Sequence, residues 1–132
     1  MATSGSVSTS KYDGRYYTVS WTAKQSIPNN QSTITWTLKA VGGNVSWYAE
    51  RTLKVLIDGT SVFSKTARKE RYAETIATGT KVIKHDSQGN ADFKIEIQAA
   101  VYVDSVNCTG SETFVLTQIK RPSTLSVSSR PL

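Results

Sequence analysis

The sequence predicts an all-β fold: an antiparallel β-sandwich of seven or eight strands, jelly-roll or immunoglobulin-like in outline. Three observations predict it. Apolar residues recur with period two in several segments. Turn-forming residues separate those segments every 8 to 15 residues. No stretch carries a convincing helical apolar face.

In chain order, Tyr17, Val19, Trp21 and Ala23 alternate with Thr18, Ser20 and Thr22. Successive strand residues face opposite sides, so this run offers one apolar and one wet face. Pro28-Asn29-Asn30 supplies a turn, and Ile34, Trp36, Leu38 and Ala40 then repeat the alternation. Gly42-Gly43-Asn44 marks the next turn. Leu53-Val55-Ile57 and Val62-Phe63 flank Asp58-Gly59, a strong hairpin signal because both turn residues tolerate positive φ. Thr66 to Thr75 is rich in helix formers but lacks an apolar face, and reads as a loop with at most one helical turn. Val82 to Asp86 reads as a strand running into a turn, and Asp86 to Asn90 as a hairpin turn with Gly89 at positive φ. Phe93, Ile95, Ile97, Ala99 and Val101 form another alternating strand, and Thr113 to Ile119 the last. Trp21 and Trp36 hold the buried phase and are expected in the core. The expected organisation is one sandwich domain over 1–119, followed by a Ser/Pro-rich linker or tail over 120–132.

The 132 residues suit one domain, and 38% hydrophobic content is ordinary for a globular chain. The lone Cys108 excludes an intrachain disulfide and a cysteine zinc cage. Met1 to Ser10 is small and polar, unlike a secretory signal, and no apolar run approaches the roughly 20 residues of a membrane span. The formal net charge of +6 can favour nucleic acid or an anionic polymer such as a teichoic acid, although scattered charges more often serve solubility. The local cluster Lys65, Arg68, Lys69 and Arg71 is diluted by Glu70 and Glu74.

Catalytic parts are scarce. A Ser-His-Asp triad would need the single histidine, His85, which reads better as a hydrogen-bonded residue at a strand end. Asp86, Asp92 and Asp104 have no spacing that forces them into one cleft. Asp86-x-x-Gly89-Asn90-x-Asp92 has oxygen ligands for calcium but lacks the full loop pattern. Walker, dinucleotide, zinc-peptidase, RNA-recognition and zinc-finger signatures do not occur. No enzyme activity, metal or cofactor is therefore expected. The sequons at Asn30, Asn44 and Asn107 read as chance matches in a Ser/Thr-rich chain.

Aromatic residues off the core phase are the remaining lead. Trp47 and Tyr48 are adjacent, so in a strand at least one would point outward; core or edge packing is the open alternative. Tyr12 and Tyr72 lie in loop-like segments, and Tyr102 follows the Phe93–Val101 face. An exposed aromatic ring is a flat apolar plate with which a sugar's C–H face can stack. The candidate ligand-binding set is Trp47, Tyr48, Tyr102, Asn44 and Arg51.

Several stretches carry a family likeness. They are Met1 to Ser6 with Gly14-Arg15-Tyr16 and Val19-Ser20-Trp21, then Asn30 to Leu38, Lys84-His85-Asp86 through Gly89, Val106 to Ser111, and the exit Ile119 to Ser123. Together they resemble the N-terminal β-sandwich of a family of minor structural or tail-tip proteins from long-tailed phages of streptococci and related Gram-positive bacteria. The resemblance spans nearly the whole chain in order. It implies a virion (phage tail) protein made in the bacterial cytoplasm, with a carbohydrate-binding role in host adhesion. The partner would be a host cell-surface polysaccharide, with no specific nucleic acid and no membrane. The alternative is a structural, assembly or spacer module that docks to other tail subunits, with a homo-oligomer possible.

Overall fold

The structure is a computed structural model that describes residues 3–11, 16–41, 51–67, 75–101 and 106–120. These form eight strands and no helix: β1(Ser4–Ser8), β2(Tyr16–Ser26), β3(Gln31–Val41), β4(Arg51–Ile57), β5(Thr60–Ala67), β6(Thr75–Lys84), β7(Asp92–Val101) and β8(Val106–Val115). All pairings are antiparallel. One sheet has the order β1-β2-β3-β6 and the other β5-β4-β7-β8, which gives the expected sandwich. The second strand pairs with the third as a hairpin, whereas an immunoglobulin domain pairs its second strand with its fifth. The chain crosses between sheets after β3, β5 and β6.

The period-two runs set which face is buried. Val19, Trp21, Ile34, Trp36 and Leu38 of the first sheet meet Leu53, Val55, Ile57, Phe93, Ile95 and Ile97 of the second. Each such side chain stabilises the fold by roughly 1.5–3 kcal/mol when fully buried. Trp21 links the sheets, lying edge-on to Phe93 at 4.9 Å and to Phe114 at 5.0 Å between ring centroids.

One cross-strand row explains two strands that carry little apolar signal. Gly5, Trp21, Trp36 and Gly79 are successive partners across β1, β2, β3 and β6. Each indole covers the glycine beside it. A Cβ on Gly5 would sit 2.9 Å from Trp21 Nε1, and one on Gly79 would sit 2.6 Å from Trp36 Cζ2. The tryptophans thus fill space that the edge strands leave empty, and β1 and β6 need few apolar residues of their own.

One flank of the sandwich is closed. Ser10 N donates to Thr109 O at 3.0 Å, joining the end of β1 to β8. Gly110 allows this approach, because a Cβ there would collide with the Ser8 carbonyl. Cys108 is buried in the same seam. Burial pushes its thiol pKa up, and a hydrogen bond with Ser10 partly opposes the shift.

The turns follow the expected chemistry. Asp58 and Gly59 have φ of 52° and 79° and make the β4–β5 hairpin. Asn30 has φ of 53° at the end of the β2–β3 turn. Four details differ from the sequence reading. The turn containing Gly89 (φ 82°) is a crossover between sheets, since β6 and β7 do not pair. The last strand is β8, seven residues longer at its start than expected, and Leu116 to Lys120 continue as an extended segment. β1 is a strand although its sequence is polar and small. Thr66 and Ala67 belong to β5 rather than to a loop. Gly42 to Glu50, Arg68 to Glu74 and Arg121 to Leu132 lie outside the described residues.

Candidate functional site

The two ends of the sandwich differ. At one end, the β2–β3 turn, the β6–β7 crossover and Leu116–Lys120 are locked together around His85. The residue is 7% exposed. Its Nδ1 lies 2.7 Å from Gly89 O; a carbonyl can only accept, so Nδ1 carries the proton. In the neutral ring, Nε2 then accepts from Ser32 Oγ at 2.7 Å. Gly89 O also accepts from Ile119 N at 2.9 Å. Asn30 Nδ2 donates to the carbonyls of His85 and Asp86, at 3.0 and 2.8 Å. That is the atom a glycan would need, so this sequon is taken up by internal bonding. Gln25 Nε2 reaches Thr117 O at 2.7 Å, and Gln118 Nε2 reaches Gln88 O at 2.7 Å.

This arrangement matches the hydrogen-bonded histidine expected at a strand end. Ser32 is 0% exposed, and the group at Nδ1 of His85, where a triad would place a carboxylate, is a carbonyl. A substrate cannot reach the serine hydroxyl without opening the core, and no negative charge stands behind the ring to stabilise an imidazolium. The imidazole instead joins two loops and a strand. Asp86 Oδ1 accepts from Gln88 N and Asn90 N, both at 2.9 Å, so it closes its own turn. No group of three His, Cys, Asp or Glu side chains placed to hold a metal occurs among the described residues. Beside this knot, Lys84, Asp86, Asn90, Ala91, Asp92 and Val115 line an open depression of about 450 Å³.

The opposite end is defined by strand termini. Tyr16 pairs with Val41, Lys39 with Thr75, Arg51 with Ala67, and Val101 with Val106. The Ser10–Thr109 bond ties the two sheets at this same end. These termini bracket 12–15, 42–50, 68–74 and 102–105, which contain Tyr12, Trp47, Tyr48, Tyr72 and Tyr102. Of the candidate ligand-binding set, Asn44, Trp47, Tyr48 and Tyr102 lie outside the described residues. Arg51 opens β4, and its side chain is likewise outside them. The fold therefore puts the anchors of all five candidates at one end, although the sequence separates them by up to 58 positions (Asn44 to Tyr102).

Trp21 and Trp36 are in the core, 2% and 3% exposed, as their phase predicts. Sequence reasoning missed the pairing of Ser32 with His85, which are 53 residues apart and share no local pattern. Compared with protein-family models, curated proteins and solved structures, the chain matches none.

Proposed function

We propose that this sandwich is a binding module of a phage tail that recognises host cell-wall saccharide through the end bracketed by Tyr16, Val41, Arg51, Ala67, Thr75, Val101 and Val106. The observation that carries this reading is the convergence of those termini. Strand pairing gathers at one end the anchors of four segments that contain most of the aromatics outside the core phase. Connecting segments positioned by a rigid scaffold are a common place for recognition. Aromatic plates suit the apolar faces of sugars, and Asn44 and Arg51 supply polar groups for hydroxyls. The phage assignment rests on the family resemblance of the sequence.

Binding of the full chain to purified host cell-wall polysaccharide tests the proposal. Trp47→Ala and Tyr102→Ala are expected to weaken it at least about tenfold, equivalent to ~1.4 kcal/mol, with unchanged thermal unfolding. Wild-type affinity in both variants would remove this site.

The second reading, an assembly module, draws on the flank opposite the Ser10–Thr109 seam. There β5 and β6 are sheet edges, and Val82 on β6 is 45% exposed. Edge strands can pair with a neighbouring subunit. Defined oligomers without saccharide affinity would favour it.

A further inference from the structure

The outer face of the first sheet is a field of hydroxyl groups with cations at its margins. Thr22, Thr35 and Thr80 form one cross-strand row, and Ser20, Thr37 and Thr78 the next. The side chains of Thr22, Thr35 and Thr80 are exposed and make no hydrogen bond among the described residues. Lys24 on β2, Lys39 on β3 and Lys84 on β6 stand around this field, and all three are exposed; Val82, which shares the Lys24–Thr33 row, is its exposed apolar member. Lys11 adds a fourth cation at the Lys39 end, with Nζ 5.3 Å from the Tyr16 ring centroid. The described strand residues of this face include no Asp or Glu. At the crossover end Lys84 shares the open depression with the carboxylates of Asp86 and Asp92, and Asp86 Oδ1 is there occupied by two backbone N–H groups.

Spacing narrows the ligand. Lys24 is opposite Thr33, and Lys39 lies six residues further along β3. At ~3.4 Å per residue the two lysines are about 20 Å apart along the strands. A monosaccharide or a single phosphate cannot span that distance. The second sheet's outer face offers no equivalent: there Lys54 and Lys94 are balanced by Asp92 and Glu96, and Lys94 Nζ lies 3.7 Å from Glu96 Oε1.

We infer that the outer face of the first sheet binds an extended, hydroxyl-rich and sparsely charged polyanion, a phosphodiester-linked polyol or sugar polymer. Its phosphates would meet the marginal lysines, and its hydroxyls would exchange hydrogen bonds with the threonine rows, which both donate and accept. A neutral polysaccharide leaves the lysines unmatched. A nucleic acid fits less well, because duplex DNA carries a charge every ~1.7 Å of its axis. Single strands are held by aromatic platforms. On this face the described aromatic is Tyr16, which lies at the margin beneath Lys11. At its Lys39 margin this surface meets the end proposed above for saccharide, since Lys39 pairs with Thr75 and Tyr16 borders both; the two proposals differ in the side chains they use.

Titration of the full chain with poly(glycerol phosphate), neutral dextran and single-stranded DNA tests the inference. Two variants accompany the wild type: Lys24→Gln/Lys39→Gln/Lys84→Gln, and Thr22→Val/Thr35→Val/Thr80→Val. Thermal unfolding checks that each is folded, and single lysine substitutions replace any triple variant that is not. The wild type is expected to bind poly(glycerol phosphate), more weakly as salt is added, and to leave dextran unbound by this face. The lysine triple should lose on the order of tenfold in affinity and much of the salt dependence. The threonine triple should lose several-fold with the salt dependence retained. No binding of poly(glycerol phosphate), or wild-type affinity in the folded lysine variants, would overturn the inference. Tighter binding of DNA than of poly(glycerol phosphate) would overturn it in favour of a nucleic-acid surface.

Discussion

The two sheets of this sandwich solve the same packing problem differently. The second sheet fills its inner face in the ordinary way, with Leu53, Val55, Ile57, Ile95 and Ile97 on adjacent central strands. The first concentrates its bulk in Trp21 and Trp36 at its centre and leaves glycine beside each at its edges. Both indole Nε1 atoms are buried without a hydrogen-bond partner among the described residues, so shape rather than polar pairing holds the rings. The outer faces diverge as well: the second sheet balances acids against lysines, and the described strand residues of the first carry hydroxyls and lysines around the exposed Val82, without a carboxylate. A central strand pair that supplies the core for its neighbours frees the edge strands to be polar and small. That freedom is what lets β1 and β6 contribute serine and threonine to the outer face.

The comparison can be broken most sharply at Trp36. Trp36→Ala is expected to cost about 3–5 kcal/mol, whereas Ile97→Val in the second sheet should cost about 0.5–1.5 kcal/mol; chemical denaturation measures both. Equal losses would mean that the first sheet does not depend on its indoles. Next comes Gly79→Ala, whose Cβ meets the Trp36 ring, with an expected loss of about 1–3 kcal/mol. Combined with Trp36→Ala, the same change should become neutral or favourable, because the obstructing ring is gone. Additive losses in that double-mutant cycle would refute the shape argument. Gly59→Ala should cost about 1 kcal/mol, since nothing lies within 4 Å and only the positive φ of 79° resists.

A smaller effect is expected at the seam between the sheets. Burial raises the Cys108 pKa above the ordinary thiol value of 9.0. A group whose folded pKa is raised contributes stability that is complete below its unfolded pKa and is lost as pH rises toward the folded one. Stability should therefore decline above about pH 9, and Cys108→Ala should reduce that slope in denaturation curves taken across alkaline pH. An unchanged slope would place the cause elsewhere. The smallest effect concerns the outer face: Lys24→Gln should alter stability by no more than about 0.5 kcal/mol, leaving ligand affinity as the quantity that changes.

The same division between sheets decided what could be read from sequence. β2, β3 and β7 announce themselves by strict alternation because each is central and buries one face. β1 and the first part of β6 are nearly silent, since Gly5 and Gly79 occupy core-facing positions whose volume comes from a tryptophan on the next strand. The start of β8 is masked similarly: Gly110 faces the approaching Ser8 backbone, so close contact replaces an apolar side chain. The Asp58-Gly59 hairpin was legible because its conformation is a local property of two residues. The histidine knot was legible only as to role; its serine partner, its Gly89 acceptor and the capture of Asn30 are products of tertiary pairing. The candidate aromatics were found by their departure from the core phase. Their common end became visible only from strand pairing, because the anchors come from both sheets.

The most direct test crosses two ligands with two variants. Cell-wall polysaccharide stripped of phosphate and poly(glycerol phosphate) are titrated against the wild type, Trp47→Ala, and the Lys24→Gln/Lys39→Gln/Lys84→Gln variant. Two distinct sets of binding residues predict that Trp47→Ala loses the neutral polysaccharide and keeps the polyanion, while the lysine variant does the reverse. Equal loss of both ligands in either folded variant, or binding of neither ligand by the wild type, would contradict the account.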